Sequence, residues 1–207
     1  MTEVVLGKGA WGEVEVTHFH GLKVAAKSLY EILISSYNIK IFSGEMNILS
    51  KIRHPNCLQF IGATTEGNPI ILTELMATSL RKEIESGGLA YPTILSISLD
   101  VACALNYLHL FKPHPILHRD VSSSSVLLQQ VGRVWRAKVS GYTSANFQHL
   151  RRTSYDDSYP GSPIYSAPEA GNPREHSPAM DVFSYGVLLV QMLVCEFPYT
   201  EKKSCSN

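Results

Sequence analysis

The sequence predicts a two-lobed α+β fold, in which a small antiparallel sheet is followed by a mainly helical lobe. The first part of the 207-residue chain alternates apolar and polar residues with a period of two, as β-strands do. In the second part, apolar residues recur every three to four positions, which is the spacing of amphipathic helices. The pattern changes near residue 77, so we divide the chain into residues 1–76 and 77–207.

Four strands and one helix are predicted within residues 1–76. The strands are the segments 13–17, 22–27, 57–61 and 70–73. A turn-like Glu-Gly-Asn-Pro at 66–69 separates the last two strands. Between the two strand pairs, apolar residues from Ile41 to Ile52 recur at helical spacing and stop before His54-Pro55. These elements predict the small sheet with one helix beside it.

Two long helices dominate the prediction for residues 77–207. They cover the segments 93–110 and 179–195, and each carries a continuous apolar stripe. Short strand-like segments lie between them at 126–128 and 137–139, followed by a polar segment at 143–162. The longest apolar stretch, 182–195, is too short to cross a bilayer. We therefore predict a buried helix there and no membrane insertion.

Composition excludes several classes of partner and site. The chain has 18 acidic and 18 basic residues, which leaves no electrostatic footprint for nucleic acid or an anionic membrane. The four cysteines are scattered and form no CxxC pair, so neither a zinc site nor a disulfide framework is expected. No signal peptide is visible at the N-terminus. These features favour a reducing compartment, and we expect a cytoplasmic protein.

Three glycines form a candidate phosphate-binding loop. Gly7, Gly9 and Gly12 match the pattern GxGxxG, although the same spacing also occurs in simple turns. In dinucleotide-binding folds a helix follows this loop at once, whereas here a strand is predicted. We therefore expect a hairpin that folds over a ligand, with Val14 placed to pack on a base.

Lys27 and Glu45 form a candidate ion pair. A lysine at the end of a strand is usually solvated, and a glutamate on a helix surface usually is too. Glu45, however, lies on the predicted helix of the same lobe as Lys27. A strand lysine held by a helix glutamate is the arrangement that positions an ammonium group against two phosphates.

Taken together, these motifs resemble a protein kinase domain, most closely the tyrosine-kinase-like group of serine/threonine kinases. The similarity covers nearly all of the chain, and seven motifs in one order do not arise by chance. In chain order they are the glycine loop 7–12, Lys27, Glu45, the segment 71–76, His118-Arg119-Asp120, Ser-Ala-Pro-Glu at 166–169 and the segment 181–186.

The resemblance implies a nucleotide site and a catalytic residue. ATP is the implied ligand, with Thr73 as gatekeeper and the backbone of Glu74 to Met76 at the adenine edge. Ala25 and Leu127 are the further implied nucleotide contacts. Asp120 is the implied base that accepts the proton of a substrate hydroxyl.

Arg119, by the same resemblance, stabilises the activation segment through a phosphorylated side chain. Thr153, Ser154 and Tyr155 are the candidate acceptors for that phosphate, while a merely solvated loop is an equally favoured interpretation.

Three departures from the family pattern fall next to the phosphates. Ser122 replaces a lysine that neutralises the transferred group, and Ser125 replaces an asparagine that binds the second metal ion. The metal-binding Asp-Phe-Gly is replaced by Gly141-Tyr142-Thr143, so the carboxylate is lost while an aromatic residue is kept. Mg²⁺ prefers hard oxygen ligands in octahedral geometry, and we therefore expect no metal site at Ser125 and Gly141.

Two functions remain open from the sequence. The first is a pseudokinase that binds ATP weakly and regulates or scaffolds signalling partners. The alternative is an active serine/threonine kinase with unusual metal ligation, since Asp120, Lys27 and Glu45 are intact and residues 161–165 resemble a substrate loop. A poorly folding fragment is a third interpretation. Because kinase domains continue beyond the helix that contains Asp181, we expect the helical lobe to lack its last helices.

Overall fold

The first lobe is a five-stranded sheet packed on one helix. The computed structural model describes residues 4–8, 12–64, 67–142, 145–147 and 162–196. The strands of the sheet are β1 (Val4–Lys8), β2 (Gly12–Phe19), β3 (Leu22–Leu29), β4 (Phe60–Ala63) and β5 (Ile70–Glu74). Their order is β1-β2-β3-β5-β4, and each neighbouring pair is antiparallel. The predicted small antiparallel sheet is confirmed.

Helix α1 (Ser36–Leu49) lies on this sheet and carries Glu45 on its buried face. Its N-terminus is capped by Ser35, whose side chain accepts a hydrogen bond of 3.2 Å from the backbone N–H of Asn38. The helix ends three residues before the predicted Ile52. The N–H of Ile52 bonds to the carbonyl of Leu49 at 3.3 Å, so the chain tightens into a turn there.

The second lobe contains three α-helices, two short 3-10 helices and two small sheets in its described part. Its α-helices are α2 (Leu80–Glu85), α3 (Tyr91–His109) and α4 (Pro178–Val194). Its strands are β6 (Thr78–Ser79), β7 (Ile116–Leu117), β8 (Val126–Val131), β9 (Val134–Val139) and β10 (Asn146–Phe147). Strands β6, β8 and β9 form one antiparallel sheet, and β7 pairs with β10. The two long predicted helices are confirmed as α3 and α4, whereas the short α2 was not predicted.

The predicted strand at 57–61 begins later in the structure, and the reason is a contact between the lobes. Cys57 forms an isolated parallel bridge with Val139 at the end of β9. The N–H of Leu58 donates to the carbonyl of Val139 at 2.9 Å, and the N–H of Val139 donates to the carbonyl of Asn56 at 2.8 Å. These backbone groups are taken by the second lobe, so β4 starts only at Phe60.

The core is built from the apolar stripes of the long helices. Ile97, Ala104 and Leu108 of α3 have no exposed surface, and Leu188 and Met192 of α4 are equally buried. Part of α4 nevertheless presents apolar side chains to solvent. These are Val182, Phe183, Val190, Leu193 and Val194. Within the described residues, no helix is both long and apolar enough to cross a bilayer.

Candidate nucleotide and catalytic site

Lys27 and Glu45 are joined as the sequence predicts. Lys27 Nζ lies 2.6 Å from Glu45 Oε2, and the glutamate side chain is only 4% exposed. Strand β3 supplies the lysine and α1 the glutamate, so the pair fixes the helix against the sheet. The ammonium group is thereby held in one place, although about a quarter of the lysine side chain, 27%, remains exposed. Val14 of β2 pairs directly with Lys27 in the sheet register.

The positions of the candidate phosphate loop differ in whether the structure requires glycine there. A Cβ atom on Gly12 would lie 1.8 Å from the backbone oxygen of Ser28, so the pairing of β2 with β3 itself requires glycine there. A Cβ atom on Gly7 would meet nothing within 4 Å, so packing does not demand glycine at that position. Gly9 lies outside the described residues.

The segment that connects the lobes is buried and fixed at its start. Ala25 and Thr73 pair across β3 and β5, and the side chains of Thr73 and Met76 are buried. Leu127, the other predicted nucleotide contact, lies in β8 opposite Ser79 of β6. The structure therefore brings the predicted adenine-binding residues to the junction between the lobes.

Glu74 is held by contacts that the sequence did not reveal. Lys138 Nζ of β9 lies 2.7 and 2.8 Å from its two carboxylate oxygens. The same carboxylate accepts the N–H of Gln59 at 2.7 Å, while the Glu74 N–H donates to the Gln59 carbonyl at 3.0 Å. The sequence gave no signal for this ion pair, because Glu74 and Lys138 lie on strands that are far apart along the chain. The side chain of Glu74 thus ties the junction to the second lobe.

A buried carboxylate of α4 organises the loop that carries Asp120. Asp181 accepts the backbone N–H groups of His118 and Arg119 at 2.9 and 2.8 Å, and His109 Nε2 lies 2.8 Å from the same carboxylate. Burial alone would raise the pKa of Asp181, but these hydrogen bonds and the charge of His118 outweigh it and leave the pKa below its ordinary value. Arg119 is held at a positive φ of 63°, which is uncommon for a residue with a side chain.

Asp120 itself faces the end of the activation segment. Its Oδ1 accepts the backbone N–H of Ser162 at 3.0 Å. Burial raises the pKa of Asp120, while the charge of His118 and the hydrogen bonds from Ser162 act in the opposite direction. Asp120 is therefore held by a hydrogen bond next to residues 162–165, the described part of the segment that resembles a substrate loop.

The hydroxyl of Ser125 makes two hydrogen bonds within its own loop. It donates to the carbonyl of Ser122 at 3.0 Å and accepts the N–H of Ser122 at 2.9 Å. The N–H and hydroxyl of Ser140 both donate to the carbonyl of Ser125, at 2.7 and 2.9 Å. Ser122 is buried too, and its hydroxyl has no hydrogen-bond partner among the described residues. Each serine offers only a neutral hydroxyl, where the family has an asparagine at 125 and a lysine at 122.

Gly141 provides no ligand and has a backbone suited to glycine. Its φ is +80°, and a Cβ atom there would lie 3.4 Å from Cβ of Ser125. Magnesium needs several hard oxygen ligands, ideally including a carboxylate. The residues at 125 and 141 do not meet this need, so the donor set does not fit the ion that the family uses. Among the described residues, no cluster of three or more metal-ligating side chains is found.

Tyr142 keeps the packing role predicted for it. The side chain is fully buried and meets the ring of His118 edge-on, with ring centroids 5.2 Å apart. Its hydroxyl donates to the carbonyl of Val139 at 3.1 Å, and burial raises its pKa well above the ordinary value. Thr143 and the candidate phosphate acceptors Thr153, Ser154 and Tyr155 lie outside the described residues.

A chain of buried hydrogen bonds anchors the end of the activation segment. The hydroxyl of Tyr165 donates to Gln191 Oε1 of α4 at 2.5 Å and lies 3.0 Å from the hydroxyl of Ser123. The hydroxyl of Ser184 donates to the carbonyl of Tyr165 at 2.7 Å. The catalytic loop, the activation segment and α4 are thus joined, and the sequence gave no sign of this network beyond the motifs themselves.

Comparison with known proteins agrees with this geometry. Residues 1–207 match the family model of the protein kinase domain, and the chain belongs to the protein kinase family. It is 34% identical to serine/threonine-protein kinase VIK of Arabidopsis thaliana, over 94% of this chain and 46% of that protein.

Two other relatives show a similar degree of likeness. Dual specificity protein kinase shkE of Dictyostelium discoideum is 32% identical over 95% of this chain and 28% of its own length. Serine/threonine-protein kinase CTR1 of Arabidopsis thaliana is 32% identical over 94% and 24%. The chain therefore spans less than half the length of these relatives. The family as a whole uses ATP and Mg²⁺.

Proposed function

We propose that this chain is a pseudokinase: a kinase-family domain that does not catalyse metal-dependent phosphoryl transfer and instead regulates or scaffolds protein partners through its shape. One observation carries the proposal. Of the two positions that hold metal ions in the family, Gly141 has no side chain and the hydroxyl of Ser125 is bonded to its own loop.

The energetic consequence for catalysis is large. Phosphoryl transfer depends on positioning and on electrostatic stabilisation, much of which comes from the metal ions. Removing one preorganised stabilising group costs about 3–4 kcal/mol, which is two to three decades in rate. Ser122, Ser125 and Gly141 together remove a cation and two metal ligands. Such losses are not additive, but they argue against useful turnover.

Nucleotide binding is a separate matter from catalysis. The Lys27–Glu45 pair is formed, and Thr73 and Met76 are buried at the junction between the lobes. These residues fit ATP: Lys27 would contact the phosphates, and the backbone from Glu74 to Met76 would contact the adenine edge. Without a metal ion the triphosphate charge is opposed chiefly by Lys27. We therefore propose weak ATP binding that does not depend on magnesium.

An active serine/threonine kinase is the second candidate. Asp120 is oriented by Ser162, and the lysine–glutamate pair is intact, as catalysis requires. The relatives are also named as serine/threonine-protein or dual specificity kinases. This candidate requires another carboxylate to take the place of the family's aspartate at position 141.

A phosphate-transfer assay separates the two candidates. The chain is incubated with labelled ATP, a generic protein acceptor and either Mg²⁺ or Mn²⁺, beside an Asp120→Asn variant. The pseudokinase predicts equal, background incorporation in both. Robust transfer that Asp120→Asn abolishes would establish the active kinase instead. The partners that we propose are signalling proteins in the cytoplasm, where unpaired cysteines persist.

A further inference from the structure

A cavity lies on the side of the molecule formed by the end of α3 and the loop that follows α1. Its volume is about 450 Å³, within the usual range for small-molecule sites. The side chains that concern us are His54, Cys103, Asn106, Tyr107, Phe111 and Lys112. None of them belongs to the nucleotide or catalytic site described above. The cavity is thus a separate feature of the fold.

Aromatic rings form the walls of this cavity. The rings of His54 and Tyr107 are stacked, with centroids 4.9 Å apart and planes at 23°. Phe111 meets Tyr107 edge-on at 6.0 Å. The hydroxyl of Tyr107 accepts the backbone N–H of Arg53 at 3.0 Å, which fixes the ring in place. These three rings contact one another and also line the cavity, so a flat ligand that lies there meets aromatic side chains.

His54 and Lys112 supply hydrogen-bond donors at the cavity. His54 Nδ1 accepts the N–H of Asn56 at 3.2 Å, and burial lowers the pKa of the ring. The neutral ring therefore carries its proton on Nε2, where it can donate. Lys112 adds an ammonium group, and no carboxylate is found among the described residues that line the cavity.

The charge at the cavity favours an anion. A lysine just beyond a helix C-terminus ordinarily offsets the partial negative charge of the last carbonyls. Lys112 follows α3, so it can offset the charge of these carbonyls. That function does not explain why aromatic rings and the His54 donor lie beside it. A ligand that carries both a flat ring and an anionic group would use all of these features together.

We propose that this cavity binds a small aromatic carboxylate, with the ring against Tyr107 and Phe111 and the carboxylate at Lys112 and His54. The site does not depend on the proposed pseudokinase function, and its test is independent of phosphate transfer. The source of the ligand is a free small molecule rather than a protein segment, because the cavity is sized for one or two rings.

The probe for the test is 2-naphthoate, with 2-naphthamide as its uncharged match. Binding to the full chain is measured by ligand-observed NMR titration. A ligand of this size at ordinary efficiency binds with a Kd on the order of 1 mM. The naphthamide is expected to bind roughly two- to fivefold more weakly, the worth of an exposed ion pair. Lys112→Gln should lower the affinity for naphthoate to that for the naphthamide. Lys23→Gln, which replaces an exposed lysine of β3, should leave the affinity for naphthoate unchanged.

A second pair of variants tests the location. Cys103→Trp fills the cavity from its exposed rim and should weaken naphthoate binding at least tenfold. Leu99→Trp adds the same side chain one turn earlier, at an exposed position that does not line the cavity, and should have no effect. Saturating adenosine should not displace the probe, because the nucleotide site is elsewhere.

Cysteine protection provides a readout that needs no cavity-filling variant. In a Cys195→Ser, Cys205→Ser background, the exposed Cys103 should react with iodoacetamide at least twofold more slowly when naphthoate is bound, while Cys57 is buried. The proposal is overturned if no binding is seen at 10-fold the expected Kd, or about 10 mM. It is also overturned if adenosine displaces the probe, or if Cys103→Trp and Lys112→Gln both leave the affinity unchanged.

Discussion

Replacing Gly141 by aspartate should give this chain magnesium-dependent ATP binding. The substitution restores the carboxylate that the family uses to hold the metal ion. Its Cβ atom would lie 3.4 Å from Cβ of Ser125, at the near limit of ordinary contact, so the Cβ atom itself has room. The backbone φ of +80° is the main cost. A left-handed residue costs about 1–2 kcal/mol of stability, and aspartate and asparagine tolerate that region best.

Gly141→Asn is the matched control because it has the same shape and the same backbone strain without the charge. In EDTA, the aspartate variant should bind ATP more weakly than the asparagine variant. A carboxylate a few ångströms from the phosphates repels them by roughly 1–3 kcal/mol, equivalent to about fivefold to a hundredfold in Kd. In magnesium the order should reverse, since the ion neutralises both groups.

Isothermal titration with ATP measures all three proteins with and without Mg²⁺. We expect at least a tenfold magnesium-dependent gain for Gly141→Asp, and less than about a threefold gain for Gly141→Asn and for the unmodified chain. Lys27→Met should abolish binding in every background. A tenfold gain in the unmodified chain would refute the reasoning, and so would an aspartate variant that behaves like the asparagine variant.

Three further predictions concern stability and reactivity. Asp181→Asn should lower the free energy of unfolding by about 2–4 kcal/mol in urea at pH 7, because the two backbone N–H groups of the loop bond to different carboxylate oxygens and the amide replaces one of them with an NH₂ donor. Tyr165→Phe should lower it by roughly 1–3 kcal/mol, since the buried Gln191 oxygen loses its donor. In the native chain at pH 8, iodoacetamide should modify Cys103 but not Cys57, whose thiol is buried and has its pKa raised to about 11; mass spectrometry locates the label.

One control variant and one pH dependence check the stability predictions. Glu85→Gln removes an exposed i,i+4 partner of Arg81 and should change the unfolding energy by less than about 1 kcal/mol. Because the pKa of Asp181 is lowered on folding, its contribution is complete at neutral pH and is lost as the pH falls through that lowered pKa. The Asp181→Asn variant and the unmodified chain should therefore converge in acid. The first prediction is contradicted if Asp181→Asn and the unmodified chain are equally stable at pH 7. The second is contradicted if Tyr165→Phe leaves the free energy of unfolding unchanged, and the third if Cys57 is labelled rapidly.

The elements that were predictable are those with strong local patterns. Periodicity alone located α3 and α4 and the strand pair β2–β3, since their apolar residues repeat over many positions. The pair Lys27–Glu45 was also predictable, because order along the chain placed one residue on a strand and the other on the neighbouring helix. Local pattern failed where tertiary contacts decide. Cys57 resembles a strand residue, but its backbone neighbours bond to Val139 of the other lobe.

The replaced metal positions were predicted from the sequence, and the structure adds the contacts that these residues make. From the sequence, Ser125 could have been a weak metal ligand. Its hydroxyl makes two hydrogen bonds with the backbone of Ser122, which no spacing rule indicates. The contact of Glu74 with Lys138 was likewise invisible, because side chains 64 residues apart meet only after both lobes have formed.

The ion pair between β3 and α1 has a practical consequence for work in cells. Pairs of charges that are largely removed from water seldom stabilise a fold better than apolar side chains of similar size would. A chain with Lys27→Met and Glu45→Leu should therefore stay folded while it loses affinity for the phosphates of ATP. Such a double variant would separate the cellular effects that need bound nucleotide from those that need only the folded protein.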